Sequence, residues 1–222
     1  MKSYLGQRLP ETLDEYLDPQ HLALIVYDMQ VGIRSQVHGT APVTAAVQAA
    51  LLAARTAGVR VIFTRHMSLP KELMGAMGYR TAMAWQHKSD PAEVAPWFLR
   101  DSPGFALIPE LQPRPSEVIF DKTTMSAFEG TPLAATLRDC GVTTVAFAGI
   151  ALEVGIDPSA RHAADLGFVP VIIADACGFG HPEAGARALE AIRYAGDAII
   201  TDISAFTAAL GRLQRVAIVR QT

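Results

Sequence analysis

Apolar residues gather along the chain in six short runs that are rich in β-branched side chains. Most of these runs are apolar almost continuously and do not alternate with polar residues. This pattern is typical of strands buried on both faces, which occur in parallel sheets covered by helices. The six predicted strands are 22–27, 59–64, 117–121, 143–149, 169–174 and 197–201.

Helical segments separate most of the strands. We predict helices at 42–57, 131–140, 157–166 and 182–195, each ending directly before a glycine. The last three begin with a cap residue followed by proline or with proline itself, as helix starts often do. The alternation predicts an α/β protein with a three-layer α/β/α, doubly wound, Rossmann-like sheet of about six mostly parallel strands.

The pattern also predicts the domain organisation. Residues 1–20 precede the first strand and form an N-terminal arm, and 21–222 form a single domain of a size that α/β folds reach in one unit. The segment 65–116 breaks the rhythm with prolines and both tryptophans. We expect it to be a long connection with short helices over the carboxyl edge of the sheet, where open α/β folds bind ligands.

Composition narrows the class of protein. Half of the residues are hydrophobic, 18% are charged and the net charge is −3. Lys and Arg form no run, so we expect no nucleic-acid or membrane partner. The N-terminus lacks the apolar region of a signal peptide, and the apolar runs have only strand length. Two cysteines cannot make a disulfide framework, so we expect a cytoplasmic protein.

Polar residues after the predicted strands are the candidates for chemistry. Asp28 follows the first strand and is either a general acid or base held in place by burial, or a turn cap. Lys122 ends the third strand and either polarises a substrate oxygen and orients a carboxylate, or is a solvated lysine. Gly149 to Asp157 form a glycine-flanked turn into a helix, a typical oxyanion-binding element. Glu153 lies in that turn, where the helix dipole alone would also favour a carboxylate.

Neither the cysteines nor the histidines indicate a familiar site. Cys177 and Cys140 have no evident histidine partner and are read as inert. The six histidines, of which only His66 falls near the strand edge, match no metal-ligand spacing. We therefore predict no metal and no cofactor.

Short motifs spread over residues 21–204 together resemble the isochorismatase-like hydrolase superfamily, which includes nicotinamidases, carbamoylsarcosine amidases and isochorismatases. Each motif is weak, but their order and spacing are specific. They are Asp28-Met29-Gln30, Ser102-Pro103-Gly104, Ile108-Pro109-Glu110-Leu111, Lys122, Ser126-Ala127-Phe128, Gly130-Thr131, Leu133, Gly141-Val142, Gly149-Ile150-Ala151, Ser159-Ala160-Arg161, Gly167 and Asp175-Ala176.

The resemblance implies roles for particular residues. The cysteine-using members of the superfamily carry an Asp, a Lys and a Cys, and Asp28 and Lys122 match the first two. Gly155 stands where the nucleophilic cysteine is expected. The Ile150–Ala151 bond matches a non-proline cis peptide that shapes the oxyanion hole. The resemblance also implies a homo-oligomer.

Glycine at the cysteine position changes the expected chemistry, because it cannot form a thioester. True isochorismatases share that glycine and the Asp-Met-Gln string, and they protonate a vinyl ether while water adds. Their turn carries tyrosine and histidine where this chain has Ala151 and Glu153. Nicotinamidases bind a metal after the second strand, where only His66 remains here, so the resemblance also argues for a metal-free site.

Two functions are therefore compatible with the sequence. The first is hydrolysis of a small metabolite without a covalent intermediate, at a vinyl ether or C–N bond: Asp28 is the acid or base, Lys122 orients it, Glu153 positions water and Gly155 leaves room. The second is a non-catalytic member that binds a small molecule or a partner. Gln30, Arg65, His66, Arg80 and Trp85 are the candidate substrate contacts. The two arginines would suit a carboxylate or else are surface residues.

Overall fold

A central sheet of six parallel strands organises the protein. The computed structural model describes residues 1–37 and 39–221. His38 and Thr222, inside the predicted 21–222 domain, lie outside the described residues. The strands of the sheet are β3 (Leu22–Tyr27), β4 (Arg60–His66), β5 (Val118–Lys122), β6 (Thr144–Ile150), β7 (Val169–Gly178) and β8 (Ile199–Thr201), preceded in the chain by a hairpin of β1 (Lys2–Tyr4) and β2 (Gln7–Leu9). The strand order in the sheet is β5-β4-β3-β6-β7-β8.

Helices cover both faces of this sheet, as the continuous apolar strands predicted. They are α1 (Leu13–Tyr16), α2 (Val31–Arg34), α3 (Thr40–Thr56), α4 (Ala76–Gln86), α5 (Leu133–Asp139), α6 (Asp157–Asp165), α7 (Pro182–Ala195) and α8 (Ile203–Gln221). Side chains of β3 alternate between two buried clusters. Leu24 packs with α3 and α8 on one face, and Ile25 packs with α5, α6 and α7 on the other. The predicted three-layer α/β/α fold is confirmed.

The connection between β4 and β5 is the long irregular segment that the sequence predicts. It contains α4 and four single 3₁₀ turns at Lys71–Leu73, Pro91–Glu93, Pro103–Phe105 and Pro109–Leu111. Three of these turns carry proline at their first position, which suits a fixed backbone without an amide donor.

The chain reverses direction across the sheet between β3 and β6. After β3 it moves outward through β4 and β5, then returns to add β6 on the other side of β3. Ligands of open α/β sheets bind at such a switch point, outside the carboxyl ends of the strands. Asp28 and Ala151 follow directly after these two strands.

The first twenty residues, predicted to be an N-terminal arm, contact the domain at two places. Leu17 is fully buried in the cluster beneath α3 and α8. Asp14 of α1 accepts two hydrogen bonds from Arg212 of α8, at 2.6 and 2.8 Å. Helix α1 is therefore held against α8. No helix within the described residues combines the length and apolarity that a membrane crossing requires.

Gly149 near the end of β6 should be sensitive to substitution. Its φ is +135°, and a Cβ there would lie 2.7 Å from the Tyr27 nitrogen and 2.8 Å from the Tyr27 carbonyl carbon. We expect Gly149→Ala to lower the free energy of unfolding by about 1–3 kcal/mol, because backbone must move. Gly211→Ala in α8 meets no atom within 4 Å and should raise it by up to about 1 kcal/mol. Urea denaturation measures both, and equal effects would contradict this account.

Candidate active site

Asp28 is fixed directly after β3 by a neighbouring strand. Its φ is +45°, a conformation that aspartate tolerates better than most residues. The hydroxyl of Thr64 on β4 accepts a hydrogen bond from the Asp28 amide at 3.2 Å and donates one to its Oδ1 at 2.6 Å. This pairing turns the carboxylate toward the cavity outside the strand ends.

Lys122 reaches the same carboxylate from β5, across β4. Its Nζ lies 2.6 Å from Asp28 Oδ2, donates to the Thr124 carbonyl at 3.1 Å and lies 4.3 Å from the centre of the Tyr27 ring. The side chain is 0% exposed. Burial lowers the pKa of Lys122, and the charge of Asp28 opposes that shift. The reading of Lys122 as a solvated lysine is therefore wrong.

The turn after β6 adopts a specific backbone. The Ile150–Ala151 peptide is cis, as the resemblance implied. A π-helical turn over Leu152–Ile156 follows, and the Ala151 carbonyl accepts hydrogen bonds from the amides of Gly155 at 3.0 Å and Ile156 at 3.1 Å. The Gly155 amide is therefore engaged within the turn and is not free to bind an oxyanion.

Tyr27 fills the volume beside Gly155. A Cβ at residue 155 would lie 2.5 Å from Tyr27 Cε1 and closer still to its Cζ and Oη. The phenol is 2% exposed and donates to the Met125 carbonyl. Burial and the adjacent Asp28 charge raise the pKa of Tyr27. Gly155 does face the strand ends, but the expectation that it leaves open space is wrong, because an aromatic ring occupies that direction.

A cavity of about 190 Å³ lies against these groups. Trp85 and Phe98 of the long connection form part of its wall, and Asp28 is the one carboxylate among the described lining residues. The structure thus brings together most of the predicted catalytic and turn residues and two of the predicted substrate contacts. These are Asp28, His66, Trp85, Ile150, Ala151 and Gly155, with Lys122 bonded behind Asp28.

Two predicted substrate contacts instead bind other residues of the protein. Gln30 is 0% exposed; its Nε2 donates to the carbonyls of His66 and Phe105, and its Oε1 accepts from the His66 amide. Arg65 is bonded to both carboxylate oxygens of Asp121 and stacks 4.1 Å from the Phe105 ring. Neither side chain lines the cavity, since the hydrogen-bonding capacity of each is directed elsewhere.

Arg80 points away from its predicted role, and one oxygen of Glu153 is bonded to backbone amides while its Oε2 is buried without a hydrogen-bond partner among the described residues. Arg80 lines a separate groove on another face of α4, with Ala76 and Met83. Glu153 Oε1 accepts hydrogen bonds from the amides of Gly180 at 2.8 Å and His181 at 3.0 Å, at the start of α7. The glutamate therefore positions the loop after β7, and Gly180 of that loop lines the cavity.

His66 forms an uncharged wall of the cavity. Its ring meets those of Trp85 and Phe98 edge to face, with centroids 6.2 and 5.9 Å apart. Burial, reinforced by the charge of Lys122, lowers the pKa of His66 to about 4, against opposing effects of Asp28 and the Thr124 backbone. Among residues 1–37 and 39–221, no three His, Cys, Asp or Glu side chains form a metal-binding group. The metal-free site stays a prediction.

The two thiols lie outside the cavity. Cys177 is 2% exposed, and burial raises the pKa of its thiol. Cys140 is exposed at the opposite edge of the sheet, beside Gly58 and Arg60.

Comparisons with known proteins now decide the family. A family model described as the isochorismatase domain matches residues 22–204. The chain belongs to the isochorismatase family. It is a hydrolase-family member with the fold of the cysteine hydrolases.

Individual relatives of the isochorismatase family agree with this assignment. The ureidoacrylate amidohydrolase of Methylobacterium radiotolerans is 32% identical over 213 residues, covering 88% of this chain and 81% of that protein. The ureidoacrylate amidohydrolase of Serratia proteamaculans is 32% identical, covering 71% and 70%. The crystal structure of a cysteine hydrolase from Pseudomonas syringae pv. phaseolicola superimposes with a TM-score of 0.77 at 24% identity, covering 89% and 96% of the two chains.

Four residues of this isochorismatase-family site are not among those that the sequence predicts. Tyr27 and Thr64 were assigned only to strands, although both are polar side chains near strand ends, which is a usable signal. Phe98 and Met125 come from irregular connections, and no periodicity marks them. All four lie at the cavity or bond to Asp28.

The contact between Gly155 and Tyr27 can be tested by coupled substitutions. We expect Gly155→Ala to lower the free energy of unfolding by about 1–3 kcal/mol, because the new methyl overlaps the ring. In a Tyr27→Leu background the same change should cost little, since the ring is gone. Urea denaturation of the four proteins gives the coupling. Identical costs in both backgrounds would contradict the contact.

The neutral His66 should make stability depend on pH. Its folded pKa of about 4 lies below the ordinary 6.5, so the unfolded chain binds more protons between these values, and stability falls as pH drops from about 6.5 to 4. The contribution is at most about 3 kcal/mol by the linkage of pKa to free energy. His66→Gln should lose less stability over this window in urea titrations. An unchanged pH slope would count against a neutral His66.

Proposed function

We propose that this protein hydrolyses a small molecule with water activated at Asp28 and without a covalent cysteine intermediate. The observation that carries the proposal is the Asp28 carboxylate lining a small cavity while Lys122 and Thr64 hold its two oxygens. A general base needs this kind of fixed geometry before any pKa argument.

The volume beside Gly155 supports the absence of a nucleophile there. Glycine has no side chain to attack a substrate, and the Tyr27 ring occupies the direction in which one would project. Cys177 is buried, and Cys140 lies at the other edge of the sheet. Water is therefore the proposed nucleophile.

The proposed step conserves atoms and charge. Asp28 takes a proton from water while the water oxygen attacks the substrate carbonyl carbon. The tetrahedral intermediate then collapses as Asp28 gives the proton to the leaving nitrogen. An amide gives a carboxylic acid and an amine or ammonia, and a ureido group gives a carbamic acid and an amine or ammonia. Lys122 donates to Asp28 Oδ2 at 2.6 Å and so holds the carboxylate in one orientation through the cycle.

The bond that we propose is a C–N bond of an amide or ureido group. Support comes from the two relatives whose names make them amidohydrolases of ureidoacrylate. A vinyl ether, cleaved with Asp28 as the acid, is the alternative that the shared glycine suggests. The expectation of a carboxylate substrate loses its support, because Arg65 and Arg80 do not line the cavity.

A non-catalytic binding protein is the second candidate, and one observation favours it. Both oxygens of Asp28 already have partners at 2.6 Å, and the side chain is only 4% exposed. A carboxylate held in this way could serve only to shape the cavity. Turnover of a bound compound would decide between the two candidates.

Replacement of Asp28 tests the acid–base role. A panel of amides, ureido compounds and vinyl ethers is assayed by mass spectrometry for hydrolysis products. Asp28→Asn should lower kcat on any substrate found by about 10²–10⁴-fold, the usual contribution of a general acid–base group. Asp121→Asn is the matched control, because that carboxylate precedes Lys122 but pairs with Arg65 and Arg100 away from the cavity; its kcat should stay within about twofold.

Two further measurements make this result interpretable. Thermal denaturation establishes that Asp28→Asn is folded, since a buried Lys122 without its partner is costly. Iodoacetamide should modify Cys140 and leave activity intact. A folded Asp28→Asn protein with most of its kcat would refute the assignment, and inactivation that maps to a modified cysteine would restore a thiol mechanism.

A further inference from the structure

A second cavity of about 530 Å³ adjoins the reactive one. The two cavities have four lining residues in common and therefore lie next to each other. These residues are His66, Trp85, Phe98 and Met125. We name the second cavity the apolar groove. Its other walls include Met67, Leu69, Leu73, Met74, Met77 and Trp97.

The lining of the apolar groove is mostly apolar and contains no acidic side chain, lysine or arginine among the described residues. The one titratable side chain of this described lining, His66, has a pKa lowered to about 4. Leu73, Met77 and Trp85 are 67%, 70% and 38% exposed. Flexible methionines and aromatic rings around a concavity are typical of sites that accept apolar groups of variable shape.

We propose that the apolar groove binds an uncharged apolar chain or ring that the substrate carries next to its hydrolysed bond. This inference rests on the proposed function. The reactive cavity of about 190 Å³ holds the amide or ureido group, and the shared wall lets the remainder continue into the groove. Acrylate is a carboxylate, and no cation in the described lining of either cavity would pair with one. The substrate class of this chain is therefore a neutral amide or urea with an apolar substituent.

The apolar groove is concave and adjoins the cavity that Asp28 lines. Both features favour a group of the substrate as its occupant over a second copy of the chain. A protein surface would have to insert a side chain beside Phe98 and Met125 and would then close the wall of the reactive cavity. Such an arrangement would compete with every ligand of that cavity, so it is an outcome that the same experiment detects.

The chain offers a built-in probe of occupancy. Its only two tryptophans, Trp85 and Trp97, both line the apolar groove. Intrinsic fluorescence therefore reports binding there without any turnover. The probes are linear primary amides from butyramide to octanamide, with ureidoacrylate as the charged comparison, and ammonia release reports hydrolysis in parallel.

Two small residues of α4, Gly78 and Ala76, allow a pair of matched variants. Gly78 lines the apolar groove, and a Cβ there meets only Met74, at 3.7 and 3.8 Å, so Gly78→Leu fills the groove with ordinary contacts. Ala76 lies on another face of the same helix, in the groove with Arg80. Ala76→Leu therefore also places a leucine on α4 but outside the proposed subsite.

We expect the dissociation constant of the natural chain to fall about threefold to fourfold for each methylene added from butyramide to octanamide, the value of a buried methylene. Gly78→Leu should abolish that dependence on length while still binding butyramide, and Ala76→Leu should retain it. Ureidoacrylate should bind more weakly than octanamide.

Three results would overturn the subsite: a dissociation constant independent of chain length, the same length dependence in Gly78→Leu as in the natural chain, or a dimer seen by sedimentation that Gly78→Leu abolishes and that excludes the amides. Amides that bind with the expected length dependence but release no ammonia would leave the subsite standing and refute amide hydrolysis. The two proposals therefore fail separately.

Discussion

The buried ion pair between Asp28 and Lys122 is the interaction on which the architecture of the site depends. It joins β3 to β5 across the intervening β4, and Thr64 of that middle strand takes the remaining carboxylate oxygen. Removing two charges from water is costly unless each finds partners, so the three strand ends must stay in register. The cavity outside the sheet is a consequence of that register.

Tyr27 and Gly155 form the second constraint, one of volume. The Tyr27 side chain, at the end of β3, occupies the space into which a side chain at position 155 would project. The two side chains cannot both fit. The tyrosine also lies against the Lys122 ammonium and holds the loop after β5 through Met125. Tyr27, which precedes Asp28 in the chain, thus limits which side chains position 155 can carry.

The fold was predictable from the sequence because burial on both faces leaves a direct signal, and the strands around Ile25 and Phe147 carry it. Asp28, Lys122 and the turn at Ala151 were predictable from strand ends and motifs. Arg65, Arg80, Gln30 and Glu153 were not, because the direction of a long polar side chain depends on partners distant in sequence. The partners of Arg65 and Gln30, for instance, include Asp121 and Phe105, which lie 56 and 75 residues away.

The ion pair between Asp14 and Arg212 has a consequence for the chain as a whole. It places two residues 198 positions apart in direct contact, on helices that flank the same side of the sheet as Leu17. Every strand end that forms the cavity comes from the interior of the sequence. A circularly permuted chain whose new connection runs between α8 and α1 would therefore keep the same strand ends around the cavity.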